Sequence, residues 1–196
     1  MPASICRLFR FGLSGHRLCY LRKNRRKMPM TGNMNLRTVL GTLKQRPDAV
    51  ARVRGSSAYP EISGCVYFYQ MHCGVLVAAQ VTGLPKATKE KPHGVFGFHI
   101  HSGEKCCGNE DDPFADALSH YDPQDRPHPY HAGDLPPLFG NHGAAFQVVY
   151  TDRITVCEII DKTVIIHSGP DDFTSQPAGN AGEKIACGKI EAAYGC

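Results

Sequence analysis

Residues 49–83 read AVARVRGSSAYPEISGCVYFYQMHCGVLVAAQVTG. Three short runs stand out in it: AVARVRG, SGCVYFYQ and GVLVAAQVTG. They are rich in β-branched and aromatic residues, which suit a pleated, half-buried surface. SAYPE and MHCG punctuate them with turn-forming residues. Outward from this stretch, VFGFHIH (95–101), AFQVVYT (145–151), TVIIH (163–167) and KIACGKIEA (184–192) repeat the same pattern. DLPPLF (134–139) reads as one more strand, confined by its two prolines to a sheet edge. Seven or eight short strands with no helical periodicity between them predict an all-β, antiparallel sandwich or barrel. Two stretches break the regular spacing, His101 to Asp134 and His167 to Lys184. Irregular loops of that length inside a compact domain are usually functional.

Upstream of the strands, NLRTVLGTLKQR (35–46) places Leu36, Val39, Leu40 and Leu43 at helical spacing, and Pro47 ends the pattern. The expectation is a short amphipathic helix packed on the domain surface. The chain thus divides into a basic extension (1–34), a helix (35–47) and a β domain (48–196). The net charge of +4 conceals this division: residues 1–47 hold 11 Lys/Arg and no acid, and residues 48–196 hold 11 Lys/Arg against 18 Asp/Glu, or −7. The extension is Arg-rich and acid-free, as an organelle transit peptide is, but it lacks the continuous apolar stretch of a secretory signal. A nucleic-acid arm is a further reading, although clusters such as RKNRRK are usually solvated charge. Four of the five methionines are Met1, Met28, Met30 and Met34, the crowding that a start site assigned too early would leave. On this reading the extension is disordered or an artefact of the start site.

No apolar run approaches the length that spans a bilayer, so a membrane is not an expected partner; nor is nucleic acid, since the basic cluster reads as solvated charge. The nine cysteines include no CxxC pair, which gives no support to a zinc ribbon or a thioredoxin-type motif. With no secretory signal in view, the expected compartment is the cytoplasm, with most thiols free.

The chemistry-bearing residues fall in the second half. His99 and His101 lie two apart on a strand, so their side chains project to the same face and can converge on one ion. His167 closes another strand. HYDPQDRPHPYHAGD (120–134) holds three histidines and three acids. In it His120, His128, His131 and Asp134 fit a closed, four-ligand zinc site. Histidine with carboxylate suits copper and zinc rather than magnesium or calcium. An isolated HxH is commonly two half-exposed strand residues, and a polar surface loop can cluster histidines without binding anything.

The segments GFHIH, SHYDPQDRPH, HAGDLP, TVIIHSGPDD and GNAGEKIACGKI together resemble the copper–zinc superoxide dismutase family, in its bacterial-type branch. The likeness runs in order from about residue 49 to the end. It implies an eight-stranded antiparallel Greek-key barrel or sandwich with two long functional loops, and an enzyme that dismutates superoxide to dioxygen and hydrogen peroxide. It implies His99, His101, His120 and His167 as copper ligands. His120, His128, His131 and Asp134 would be the zinc ligands, with His120 bridging the two ions and storing a proton. Asp171 matches an outer carboxylate that ties His99 to His128. Cys187 matches one half of the family's disulfide, with Cys106 or Cys107 as its mate and Cys106 at the better spacing.

Two departures from the family pattern matter. The interval from His128 to His131 is much shorter than in the eukaryotic enzymes. Lys184 stands where the family usually has an arginine, beside the copper; lysine keeps the charge that guides the anion but loses the planar fork. A homodimer is compatible with the resemblance. The competing reading is a non-catalytic copper- or zinc-binding module on the same fold, including a zinc-only scaffold.

Overall fold

The computed structural model describes residues 35–88 and 94–193. The basic extension expected over residues 1–34 lies outside the described residues. Chain order runs α1 (Leu36–Leu43), β1 (Ala49–Gly55), β2 (Ser63–Gln70), β3 (Val75–Thr82) and β4 (Val95–His101). It continues through β5 (Asp134–Phe139), β6 (Ala144–Thr151), α2 (Val156–Ile159), β7 (Thr163–His167) and β8 (Lys184–Ala192).

Period-2 patterning sets the sheet. On β1, Ala49, Ala51 and Val53 are buried while Arg52 and Arg54 are exposed. The eight strands form one antiparallel sheet in the order β5-β4-β7-β8-β1-β2-β3-β6. β4 does not return beside β3 but crosses to lie between β5 and β7, and β6 comes back to β3. Such crossings define a Greek key. The sheet curls until its two edges nearly meet, where Gln147 Nε2 on β6 donates to the Pro136 carbonyl on β5 at 2.9 Å. Pro136 and Pro137 sit on an edge strand, where a missing N–H costs no ladder bond.

The main core fills the barrel and includes Phe68, Val77, Phe96, Phe98, Ile100, Val164 and Ile166. Among the described residues, two smaller apolar clusters lie outside it. Phe114, Ala117, Ile165 and Cys187 pack beneath the long β4–β5 loop. Tyr69, Leu76 and Ala78 are covered by Val39 and Leu43 of α1. β4 and β7 are covered on both faces: every residue of β7 is buried, as is every residue of β4 except Val95.

Helix α1 starts where Asn35 Oδ1 accepts the Thr38 amide at 3.0 Å, an N-cap that satisfies an otherwise orphaned donor. Its apolar face is narrower than its spacing predicts. Val39 and Leu43 pack on the barrel, whereas Leu36 and Leu40 are 73% and 50% exposed. One i, i+4 pair is enough to cover the strip that β2 and β3 offer. The four-residue α2 carries no sequence periodicity; it buries Val156 and Ile159 into the main core.

Candidate metal centre

Because Phe96, Phe98 and Ile100 turn into the barrel, His99 and His101 turn out of it, under the loops. β7 runs alongside β4, with Phe98 opposite Ile166, and brings His167 to the same outer face. The β4–β5 loop folds back along β4, placing His120 opposite His101 in an isolated bridge. Two groups result: His99, His101, His120 and His167, and His120, His128, His131 and Asp134, with the ligating atoms of each group within 4.8 Å of one another. His120 belongs to both. All six histidines are buried.

The free lone pairs test whether metal ions fit. His101 Nδ1–H donates to the Leu118 carbonyl at 2.8 Å, and His167 Nδ1–H donates to the Gly182 carbonyl at 3.1 Å. These bonds fix both tautomers, so His101 Nε2 and His167 Nε2 point lone pairs at each other across 3.3 Å. Two facing acceptors in a buried site repel unless a cation lies between them. His99 Nε2–H donates to Asp171 Oδ2 at 2.9 Å, leaving His99 Nδ1 buried and without a partner. His120 Nε2 is orphaned in the same way.

The second group shows the same signature. His128 Nε2–H donates to Asp171 Oδ1 at 2.9 Å, and His128 Nδ1 then faces Asp134 Oδ2 at 3.1 Å without a hydrogen bond. His131 Nδ1 lies 3.4 Å from His120 Nδ1 and 3.3 Å from Asp134 Oδ1. A tetrahedral zinc site with bonds of about 2.0 Å has edges of about 3.3 Å, so these separations suit zinc. His120 Nδ1 donates to Asp134 Oδ1 at 2.8 Å, and Asp134 Oδ2 accepts the His131 amide at 3.0 Å.

Electrostatics favour neutral rings at His99, His101 and His167 and charged carboxylates at Asp134 and Asp171. Burial, and then the charge His99 would carry, pushes His167 down to about 3. Burial likewise drives His101 well below the usual imidazole value, with His167 and His120 adding to the effect. His99 is lowered by burial against the opposing pull of Asp171. For Asp171, burial alone would raise the pKa. Hydrogen bonds from His99, the Phe173 amide and His128 reverse that and hold it well below the carboxylate range. Asp134 behaves similarly: burial pushes it up, and the hydrogen bond from His120 with the nearby rings brings it down. Neutral imidazoles and ionised carboxylates are the forms that bind metal.

The structure brings together every residue expected at the site. Asp171 ties His99 to His128 as the resemblance implied. Cys106 pairs with Cys187, their Cα atoms 5.6 Å apart, while Cys107 stays free and donates to Asp116 at 3.0 Å. Cys157 is also disulfide-bonded, so three of the six described cysteines are oxidised rather than a small minority. Lys184 sits opposite His167 across β7 and β8 and shares a cavity with His101, His120 and His131. Its ammonium is not a free charge: Nζ donates to Asp112 Oδ2 at 2.6 Å and to the Phe114 carbonyl at 3.2 Å.

Several residues of the centre carried no signal in the sequence. Asp112 is one. Gln176 is another; its Oε1 accepts the His128 amide at 3.0 Å and its Nε2 donates to the His128 carbonyl at 2.7 Å, clasping that ligand's backbone. At Gly179 φ is +66°, and a Cβ there would run into Asp171 Oδ1 and His128 Nε2. Only glycine lets the loop close over that hydrogen bond. The glycines of the GNAG stretch that contains it suit a tight turn, but do not say what the turn covers.

A Greek-key barrel carrying adjoining histidine groups that share one ring defines a two-ion, imidazole-rich metalloprotein. The family model for copper/zinc superoxide dismutase matches residues 62–190. The Cu-Zn superoxide dismutase of Legionella pneumophila is 34% identical over 152 residues, covering 74% of this chain and 87% of that protein. Superoxide dismutase 2 (Cu-Zn) of Aquifex aeolicus is 31% identical over 145 residues, covering 66% and 80%. That of Deinococcus radiodurans is 31% identical over 150 residues, covering 67% and 79%. The chain belongs to the copper/zinc superoxide dismutase family, and copper and zinc are its cofactors.

Proposed function

We propose that this chain dismutates superoxide, with His99, His101, His120 and His167 holding copper and His120, His128, His131 and Asp134 holding zinc. The observation that carries the reading is the facing pair of Nε2 lone pairs on His101 and His167, beside the unpartnered His120 Nε2. Copper, when bound, supplies a one-electron couple that zinc lacks. The chain's own residues do the rest. The carbonyls of Leu118 and Gly182 and the Asp171 carboxylate orient three rings and turn their free nitrogens toward the ion site. His120, held at Nδ1 by the second group, presents Nε2 toward the first. That nitrogen can take up a proton and pass it to the reduced substrate, which takes its second proton from water and leaves as hydrogen peroxide. Lys184, at the cavity wall, is the cation that would attract the anion.

The test is copper-dependent removal of superoxide by the copper- and zinc-loaded protein, followed by direct spectroscopic decay. Removal that is lost in His167→Ala with zinc content retained supports the enzyme. Full copper loading with no removal would leave the copper-buffering module standing instead. A homodimer and cytoplasmic residence belong to the same proposal, tested by sedimentation and by cell fractionation.

A further inference from the structure

The cation expected to draw in superoxide is already engaged. Lys184 opens β8 opposite His167, and its Nζ gives one hydrogen bond to Asp112 Oδ2 and another to the Phe114 carbonyl. An ammonium has three donors, so one remains for an arriving anion. Its partner is not a loose surface acid. Asp112 Oδ1 accepts the Phe114 amide at 3.0 Å, and the Asp112 amide donates to Asn109 Oδ1 at 2.8 Å. The Asp112 carbonyl accepts the amides of Asn109 at 3.0 Å and Ala115 at 3.1 Å. The Cys106–Cys187 bridge ties the same loop to β8, the strand that carries Lys184. Asp112, Lys184, His101, His120 and His167 line one cavity. The carboxylate is thus a built fixture of the cavity wall, and it stands where a fixed negative charge works against anion entry.

We propose that Asp112 is a positioning residue that sets the anion affinity of the metal cavity. It holds the Lys184 ammonium in place and cancels much of its field, so that an entering anion competes with a resident carboxylate for the same lysine. The proposal rests on superoxide being the substrate. It gives the lysine-for-arginine change a consequence: a compact ammonium can be occupied by one carboxylate and one carbonyl, whereas a guanidinium has five donors to share. No atom is transferred; the effect is on encounter and binding.

The experiment uses the copper- and zinc-loaded protein and Asp112→Asn, which keeps an acceptor and removes the charge. The superoxide rate constant at low ionic strength should rise about threefold, the factor a unit charge several ångströms away exerts through water. The gain should shrink toward nothing at about 1 M salt, where the Debye length is about 3 Å. Azide, titrated spectroscopically as a probe anion, should bind tighter by a similar factor, and this readout does not depend on turnover. In a Lys184→Met background the same substitution should lose more than half of its effect, because Asp112 acts through the lysine. Should Asp112→Asn unfold the loop, Asp112→Ser, which keeps a cap for the Phe114 amide, carries the same test. An unchanged or lower azide affinity and rate, or an equal gain without Lys184, overturns the proposal. A loaded wild-type protein that binds azide but leaves superoxide untouched would instead overturn the functional reading, and the azide comparison would still decide the role of Asp112.

Discussion

At the scale of single residues, tautomers decide what the centre can hold. Asp171 accepts from His99 Nε2 and His128 Nε2 at 2.9 Å each, so both rings turn Nδ1 toward the ligand groups. Asp171→Asn would place an amide N–H against one of those ring N–H groups. Donor would meet donor, and one ring would have to shift its proton to the nitrogen that should bind metal. Metal affinity should fall about 10- to 100-fold, measured by competition with a chromophoric chelator, while circular dichroism stays that of the wild type. The ligands themselves were legible in the sequence because a strand alternates, which fixes the common face of His99 and His101. Asp134 and His131 were legible because they crowd one loop. Asp112 and Gln176 were not, since each meets its partner across more than forty residues of chain and no local pattern records the pairing. Lys184 was found as a residue, but its being held by a carboxylate could not be seen from its neighbours in sequence.

At the scale of elements, the loops do the positioning and one covalent tie holds the longer of them. Cys106 and Cys187 are 81 residues apart, and closing a loop of that size removes unfolded-state entropy worth about 4.5 kcal/mol in the chain-entropy account. Phe114 and Ala117 pack on Ile165 beside the bridge, so the loop also has a small apolar anchor. The double variant Cys106→Ser, Cys187→Ser should therefore lower the urea midpoint substantially and weaken the hold on Lys184. The barrel should persist, since its core does not include either cysteine. Urea titration with far-ultraviolet circular dichroism, compared with the reduced wild type, checks this. The strands were legible because β1 alternates so cleanly. β4 and β7 were harder in principle, being covered on both faces, yet their bracketing turns and histidines marked them. The four-residue α2 is too short for any period to register, whereas α1 was legible as a surface helix, although apolar residues at helical spacing do not say how wide a surface awaits them.

For the whole molecule, the sum of many buried titrating groups matters more than any one. With the metals chelated away, His99, His101 and His167 have folded pKa values below the unfolded 6.5, His167 at about 3. The unfolded chain then binds more protons than the folded one as pH falls from 6.5 toward 3. Stability is thus full above 6.5 and is lost on acidification, by up to about 1.4 kcal/mol per pH unit for each ring. Asp134 and Asp171, depressed below 3.8, extend the loss in the same direction at lower pH. The urea midpoint of the metal-free protein should fall steadily across this range, and bound ions should move the fall to lower pH by competing with protons for the same lone pairs. The strand order of the barrel was legible only through the family resemblance, because periodicity tells which residues face inward but not which strand lies beside which. The acid in the middle of the centre has one more effect. Asp171 grips one ring from each donor set, so aligning it for the first cation aligns it for the second. The two affinities are linked, and by reciprocity each ion strengthens the hold on the other to the same degree. Molecules carrying a single ion should accordingly be scarcer at half saturation than independent filling would give.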